Sequence, residues 1–319
     1  MKLIDDALID WDDAFRFKPR KGRACKLTLT RSKVNPPDAT PLRVRGAPAA
    51  RSRLTRIVRK APEVVVKVSG GGRGMSRIKA HLDYISRNGD VALENEAGHI
   101  IAGRDAVRDL RDEWKYGLYG IPEESHRKEA FNIVLSMPPG TDRNAVTDAA
   151  RAFAVAEFGN NHQYVFATHH DEVHPHVHLC VKALGVDGTR LNPRKPDLQR
   201  WRERFAEALH EHGIDANATP RGMRGSRHRT VKQAGRHAAR SPMPQERAAR
   251  PATPPPRTTG AYGTLARVLA RGEAEDRSLA IAITKVVSAM QPPQEGERQG
   301  KAPAQPQDRL SKRSKDKDR

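Results

Sequence analysis

The stretch His169-His170-Asp171-Glu172-Val173-His174-Pro175-His176-Val177-His178-Leu179 runs on into Cys180-Val181-Lys182. It limits the fold more than any other part of the chain. Side chains of a strand alternate between its two faces. His176 and His178 then point one way, and Val177, Leu179 and Val181 point the other way, into a core. The run before it, Tyr164-Val165-Phe166-Ala167-Thr168, is aromatic and β-branched and reads as a strand that ends at His169. Val173 to Pro175 fall in the turn between the two strands. A hairpin here brings His169 beside the His-x-His pair. Three imidazoles with open coordination positions make a seat for a catalytic metal. Asp171 is placed to orient one imidazole as a hydrogen-bond acceptor. His170 and His174 are expected to face solvent or a nucleic acid instead. The plain alternative is a surface hairpin rich in His that holds nothing.

Composition sets the partner and the size of the core. Of 319 residues, 58 are Lys or Arg and 38 are Asp or Glu, a formal net charge of +20. That balance favours a polyanion, either nucleic acid or an acidic membrane surface. No apolar run approaches membrane-spanning length, so membrane insertion is not expected. The opening Met1-Lys2-Leu3-Ile4-Asp5-Asp6 lacks the pattern of a secretory signal. Two cysteines, Cys25 and Cys180, lie far apart in sequence. A disulfide framework is not expected, and a reducing cytoplasm is the natural setting.

Three regions separate along the chain. Residues 1–61 read as a basic, largely disordered arm, densest at Arg16-Phe17-Lys18-Pro19-Arg20-Lys21-Gly22-Arg23. Residues 62–218 hold 11 of the 15 Phe, Trp and Tyr residues and the clear periodicity. Residues 219–319 read as a basic low-complexity tail with 11 of the 23 prolines and one aromatic, Tyr262. Within the tail only 261–290 has a helical pattern, and it is the candidate docking segment for a partner.

The middle region alternates strands and helices. Val64 to Val68 is a strand that Gly70-Gly71-Gly72 breaks. Ser76 is expected to cap a helix bearing Ile78, Leu82 and Ile85, stopped by Asn88-Gly89. Ala92 to Ile101 fits a hairpin. Val107, Leu110, Trp114 and Leu118 mark a second helix. Phe131 to Leu135 alternates as a strand, and Val146 to Ala154 marks a third helix. Pro196 opens a helix with Leu198, Trp201, Phe205 and Leu209, closed by Gly213. Strands outnumber βαβ signatures, so the expected class is α+β: a central antiparallel sheet with helices, placed on one face.

A metal beside a polyanion needs something to activate. Water would make the protein a hydrolase, and a side-chain nucleophile would make it a strand-transfer enzyme. The tyrosines are Tyr84, Tyr116, Tyr119, Tyr164 and Tyr262. Tyr84 lies in His81-Leu82-Asp83-Tyr84-Ile85-Ser86-Arg87-Asn88-Gly89, off the buried stripe and sharing a face with His81. Arg87, three residues on, is placed to steady a phosphate. Taken alone, such a tyrosine is more often a packed amphipathic side chain. Gly70-Gly71-Gly72-Arg73-Gly74 lacks the Gly-Lys-Ser/Thr of a nucleotide loop and reads as a turn. Arg190, Arg194 and Lys195 are expected to hold DNA phosphates next to the site, with Arg221, Arg224, Arg227, Arg229 and Lys232 continuing that basic run.

His169-x-Asp171 followed by His174-Pro175-His176-Val177-His178-Leu179 closely resembles the third motif of conjugative relaxases, the DNA-nicking members of the HUH endonucleases. Tyr84-Ile85-Ser86-Arg87-Asn88-Gly89 resembles their first motif. In relaxases the tyrosine motif precedes the His motif, as here, whereas in HUH replication initiators and transposases it follows. The resemblance covers about residues 62–218 and is nearest to the mobilisation and T-DNA-border type. It departs in one respect: residues 1–61 precede the first strand, whereas these proteins usually place the tyrosine near the N-terminus. The resemblance implies an HUH relaxase-like sheet and Tyr84 as nucleophile. It implies a divalent ion, Mg2+ or Mn2+, on His169, His176 and His178, and a 5′-phosphotyrosyl intermediate. The metal ion would activate the Tyr84 hydroxyl, or Asp171 or His81 would help remove its proton. The substrate would be single-stranded or supercoiled DNA at a plasmid or mobile-element transfer origin, nicked and rejoined for conjugative transfer. Accessory relaxosome and coupling proteins would be partners, and the protein would be exported while bound to the transferred strand. The rival readings are a metal-dependent nuclease that uses water, a non-catalytic nucleic-acid-binding module, and a replication initiator or transposase.

Overall fold

A computed structural model describes residues 2–15, 46–220, 223 and 256–290. In chain order the elements are α1 (Lys2–Phe15), α2 (Ala47–Val58), β1 (Val65–Gly70), α3 (Met75–Ile85), a 3-10 turn (Arg87–Gly89), β2 (Leu93–Asn95) and β3 (Ile100–Ile101). Then come α4 (Arg104–Tyr116), β4 (Ala130–Ser136), α5 (Arg143–Phe158), β5 (Tyr164–His169), β6 (His176–Lys182) and α6 (Lys195–Glu211). Two more helices, α7 (Pro256–Leu269) and α8 (Ala274–Met290), follow and are the tail's helical pattern. The fold is α+β, as expected. Six strands form one sheet in the order β1-β4-β6-β5-β2-β3, and every pair of neighbours is antiparallel.

The helices do not keep to one face. Phe131, Ile133, Leu135, Phe166, Val177, Leu179 and Val181 pack with α5 and α6, where Phe153, Phe158, Trp201, Phe205 and Leu209 are buried. Ala130, Val165, Ala167 and Cys180 point the other way and pack with Ile78, Leu82 and Ile85 of α3 and Val107, Leu110 and Trp114 of α4. The central strand β6 is therefore buried along its whole length. The expectation of a single helical layer rests on strands outnumbering βαβ signatures, which does not say how many faces the helices cover. In β6 the second face carries the imidazoles and Lys182, which the second layer encloses.

Helix α3 begins differently from its expected cap. Gly74, at φ 110°, is the capping residue and Ser76 lies inside the first turn. A Cβ at Gly74 would lie 2.3 Å from the Glu123 carbonyl oxygen, so only glycine permits this close approach. Leu118 falls beyond α4 and is exposed, so Trp114 is the last residue of that buried stripe.

Parts of the arm and tail are also ordered together. Leu8 and Trp11 of α1, Leu54 of α2, Tyr262, Leu265 and Leu269 of α7, and Ile283 of α8 form a third core. Tyr262 donates a hydrogen bond to the Met223 carbonyl and meets the Trp11 ring edge-on at 5.5 Å. Neither segment holds enough apolar residues for a core of its own, but the two pooled do. The dense basic run of the arm and Arg221, Arg224, Arg227, Arg229 and Lys232 lie outside the described residues.

Candidate active site: three imidazoles and a tyrosine

The site sits where β5 ends and β6 begins. The register pairs His169 with His176 and Ala167 with His178, so the three imidazoles share the α3 side of the sheet. Ring centroids are 4.5 Å apart for His169 and His178, 5.1 Å for His176 and His178, and 5.4 Å for His169 and His176. Their ligand nitrogens lie within 4.8 Å of one another. The side chains are nearly enclosed, at 2%, 8% and 9% exposure in chain order.

Hydrogen bonds set which nitrogen of two of these rings is available. His169 Nε2–H donates to the Ile85 carbonyl at 2.8 Å. Ile85 ends α3, and its carbonyl is one of the acceptors a helix C-terminus leaves without an intrahelical partner. The ring's Nδ1 is buried with no partner among the described residues. His176 Nδ1–H donates to the His174 carbonyl at 2.9 Å, which leaves Nε2 as its ligand atom. Burial holds the His169 imidazole below its usual pKa. Burial, with the neighbouring His169 and His176, pushes His178 down to about 3. The His169 and His178 rings are therefore neutral near pH 7, and the candidate ligand nitrogens of all three rings lie close together. An orphaned buried nitrogen and neutral imidazole donors fit a divalent cation.

Tyr84 stands at the mouth of this cluster and is 52% exposed. Its ring centroid lies 5.6 Å from that of His178 and 6.1 Å from that of His169. Packing alone would have hidden the ring. Instead Ile78, Leu82 and Ile85 bury the opposite side of α3 and leave Tyr84 facing the imidazoles. His81 stacks beside it at 6.2 Å, its Nε2 also buried without a partner among the described residues. Burial pushes the His81 imidazole down to about 4.

Arg87 and Asp171 complete the rim. Arg87 (φ 51°) and Asn88 (φ 59°) both adopt the left-handed conformation that turns the chain out of α3. Each such non-glycine residue costs on the order of 1 kcal/mol. The turn places the Arg87 guanidinium 5.5 Å from the Tyr84 ring centroid and in an ion pair with Asp171. Asp171 is therefore not the acceptor that orients an imidazole. Backbone carbonyls do that work, because the turn carries Asp171 to the surface. A cavity of about 610 Å3, lined by Arg87, Ile100, Thr147, Thr168, His169 and Asp171, opens beside the rings.

Arg190, Arg194 and Lys195 do not join this site. Strand β6 carries the chain away from His176, and Arg190 lies past its far end, bonded to Glu129 at 2.6 Å. Seven strand residues separate the two ends, roughly 20 Å. The sequence showed a basic run near a His motif, and the length of β6 separates them in space. The Ile85 carbonyl had no sequence signal of its own. The end of a helix next to a ligand strand could have pointed to it.

Residues 94–214 match the family model described as relaxase: MobA/VirD2-like, nuclease domain. That segment holds all three imidazoles. Over that segment the chain is similar to relaxase nuclease domains of the MobA/VirD2-like type. It is similar to the T-DNA border endonuclease VirD2 of Rhizobium radiobacter, 30% identical over 191 residues, 54% of this chain and 45% of the relative. It is also 30% identical over 191 residues to VirD2 of Agrobacterium fabrum and of Rhizobium rhizogenes, covering 43% and 44% of those relatives. The chain thus spans less than half the length of these curated relatives. The matched segment begins beyond Tyr84.

The backbone role of His174 leads to a contrast. His174→Ala keeps the carbonyl that holds the His176 ring, whereas His176→Ala deletes a ligand nitrogen. Divalent-metal affinity, measured by titration calorimetry, should fall on the order of a hundredfold for His176→Ala. For His174→Ala it should change severalfold at most. Equal losses would move the ligand set onto His174.

Proposed function

We propose that this domain is a site- and strand-specific DNA relaxase that nicks and rejoins one strand at a transfer origin. One observation carries the reading: a half-exposed tyrosine whose ring lies against the imidazoles of a metal-competent triad. The relaxase nuclease match supports the substrate class. A divalent ion on His169, His176 and His178 would supply positive charge to the non-bridging oxygens of the scissile phosphate. The neutral imidazoles add no negative charge that would offset it.

The chain's own groups do the rest. Tyr84 Oη forms a bond to phosphorus, and the bond from phosphorus to the 3′ oxygen breaks. The phenol loses its proton and the departing 3′ oxygen gains one. A 5′-phosphotyrosyl link remains and conserves the phosphodiester for rejoining. Arg87, beside the ring, supplies a guanidinium for a phosphate oxygen and holds Asp171 at the rim. The discriminating experiment uses supercoiled plasmid bearing a transfer origin, with Mg2+ or Mn2+. Nicks that appear only after denaturation, with protein on the 5′ end, support the relaxase. Nicks with free 5′-phosphate ends point to a water-using nuclease.

The proposed catalytic unit is residues 62–218, and the arm and tail supply affinity and recruitment of other transfer proteins. A protein trimmed to residues 62–232 should still form the Tyr84 adduct on a short single strand. It should bind long DNA more weakly, with a shallower dependence on salt, because fewer cations displace counterions. A folded trimmed protein that cannot nick would place part of the catalytic unit in the helices removed.

A further inference from the structure

Helices α3 and α4 cover only part of the sheet face that carries the imidazoles. Their buried partners come from β2 (Leu93), β5 (Val165 and Ala167), β6 (Cys180) and one end of β4 (Ala130). Strand β1 contributes none. The pairing extends the His176 row to Ser136 of β4 and Val65 of β1, and the His178 row to Val134 and Lys67. Residues paired across a ladder share a face, so these four side chains form a floor continuous with the metal seat. Val65 is 48% exposed, Lys67 is exposed, and Val134 and Ser136 are half-buried.

The wall of this floor is a flank of α3. Asp83, on one side of the helix, is ion-paired with Arg111 of α4. Arg77, His81 and Tyr84 follow at spacings of four and three and occupy the opposite flank. That flank looks away from α4 and toward the uncovered strands. The Tyr84 ring marks where it meets the imidazoles. The buried, unpartnered Nε2 of His81 lies on the same flank. No acidic side chain engages Lys67 or Arg77 among the described residues.

We infer that the groove between the Arg77–His81–Tyr84 flank and the open β1–β4 face is the channel for the single strand that carries the scissile phosphate. Lys67 and Arg77 hold backbone phosphates beside the reacting one, and Val65 and Val134 lie under the bases. The inference rests on the proposed relaxase reading. Three features select this occupant. The floor runs without a break into the candidate catalytic cluster. Its cations suit a phosphate chain, within a chain of net charge +20. His178 and Lys67 are two strand spacings apart, about 10 Å, a width that admits one unpaired strand.

The test measures binding of a labelled origin single strand to full-length Tyr84→Phe protein, and separately the adduct rate of protein with Tyr84 intact. Lys67→Gln and Arg77→Gln should each weaken binding by roughly tenfold and lower the salt slope by about one. The double variant should lose both contributions. Lys67→Arg should restore binding, and Arg108→Gln, an exposed charge on α4, should bind as wild type. A double variant that binds like Arg108→Gln overturns the channel. If wild type forms no adduct, the relaxase reading fails, while the binding series still decides the groove.

Discussion

Tyr84→Phe protein should bind origin single strands with wild-type affinity and form no covalent product. The substitution removes one hydroxyl from a half-exposed ring and leaves the ring's contacts with His169, His178 and His81 in place. Folding stability should therefore change by less than about 1 kcal/mol. Nicking should fall by at least about a thousandfold, because the proposed mechanism makes the lost hydroxyl the group that bonds to phosphorus. Gel-shift titration and a single-turnover nicking assay on the same preparation separate the two effects. A variant that nicks within tenfold of wild type would make Tyr84 a packing residue and water the nucleophile.

The second large effect falls on the imidazoles. His169→Ala removes a ligand nitrogen and also strands the Ile85 carbonyl that its Nε2–H satisfies. Divalent-metal affinity should drop on the order of a hundredfold. Thermal stability should fall as well, since an unsatisfied buried carbonyl costs about 1–3 kcal/mol. Among the described residues His178 donates no hydrogen bond comparable to that of His169, so His178→Ala should lose divalent-metal affinity with a smaller stability change. Calorimetric metal titration and denaturant melts of the two variants check the pair. Unchanged metal affinity in both would dissolve the proposed triad.

Much of this site was legible in the sequence because strand periodicity is rigid. Once Val177, Leu179 and Val181 are assigned to a core, His176 and His178 must share the other face, and a short turn must return His169 to them. Tyr84 was legible as a residue off the stripe of Ile78, Leu82 and Ile85. The second helical layer was not, because one sheet face carries imidazoles, Asn132 and Lys182, which resemble solvent-facing residues until α3 and α4 cover part of them. Arg190 misled for a similar reason: proximity in sequence to His178 became distance once β6 ran its full length. The third core was hidden because Trp11 and Tyr262 are far apart in sequence, and neither segment carries a core pattern alone.

Peptide mapping of the covalent product tests the central claim most directly. Full-length protein is incubated with a 5′-labelled and a 3′-labelled origin single strand and Mg2+ or Mn2+, denatured, digested and read by mass spectrometry. The account predicts one modified peptide, with the DNA's 5′ phosphate on Tyr84. A nicked strand with a free 5′ phosphate and no peptide attached would contradict it, and so would attachment at Tyr116 or Tyr119.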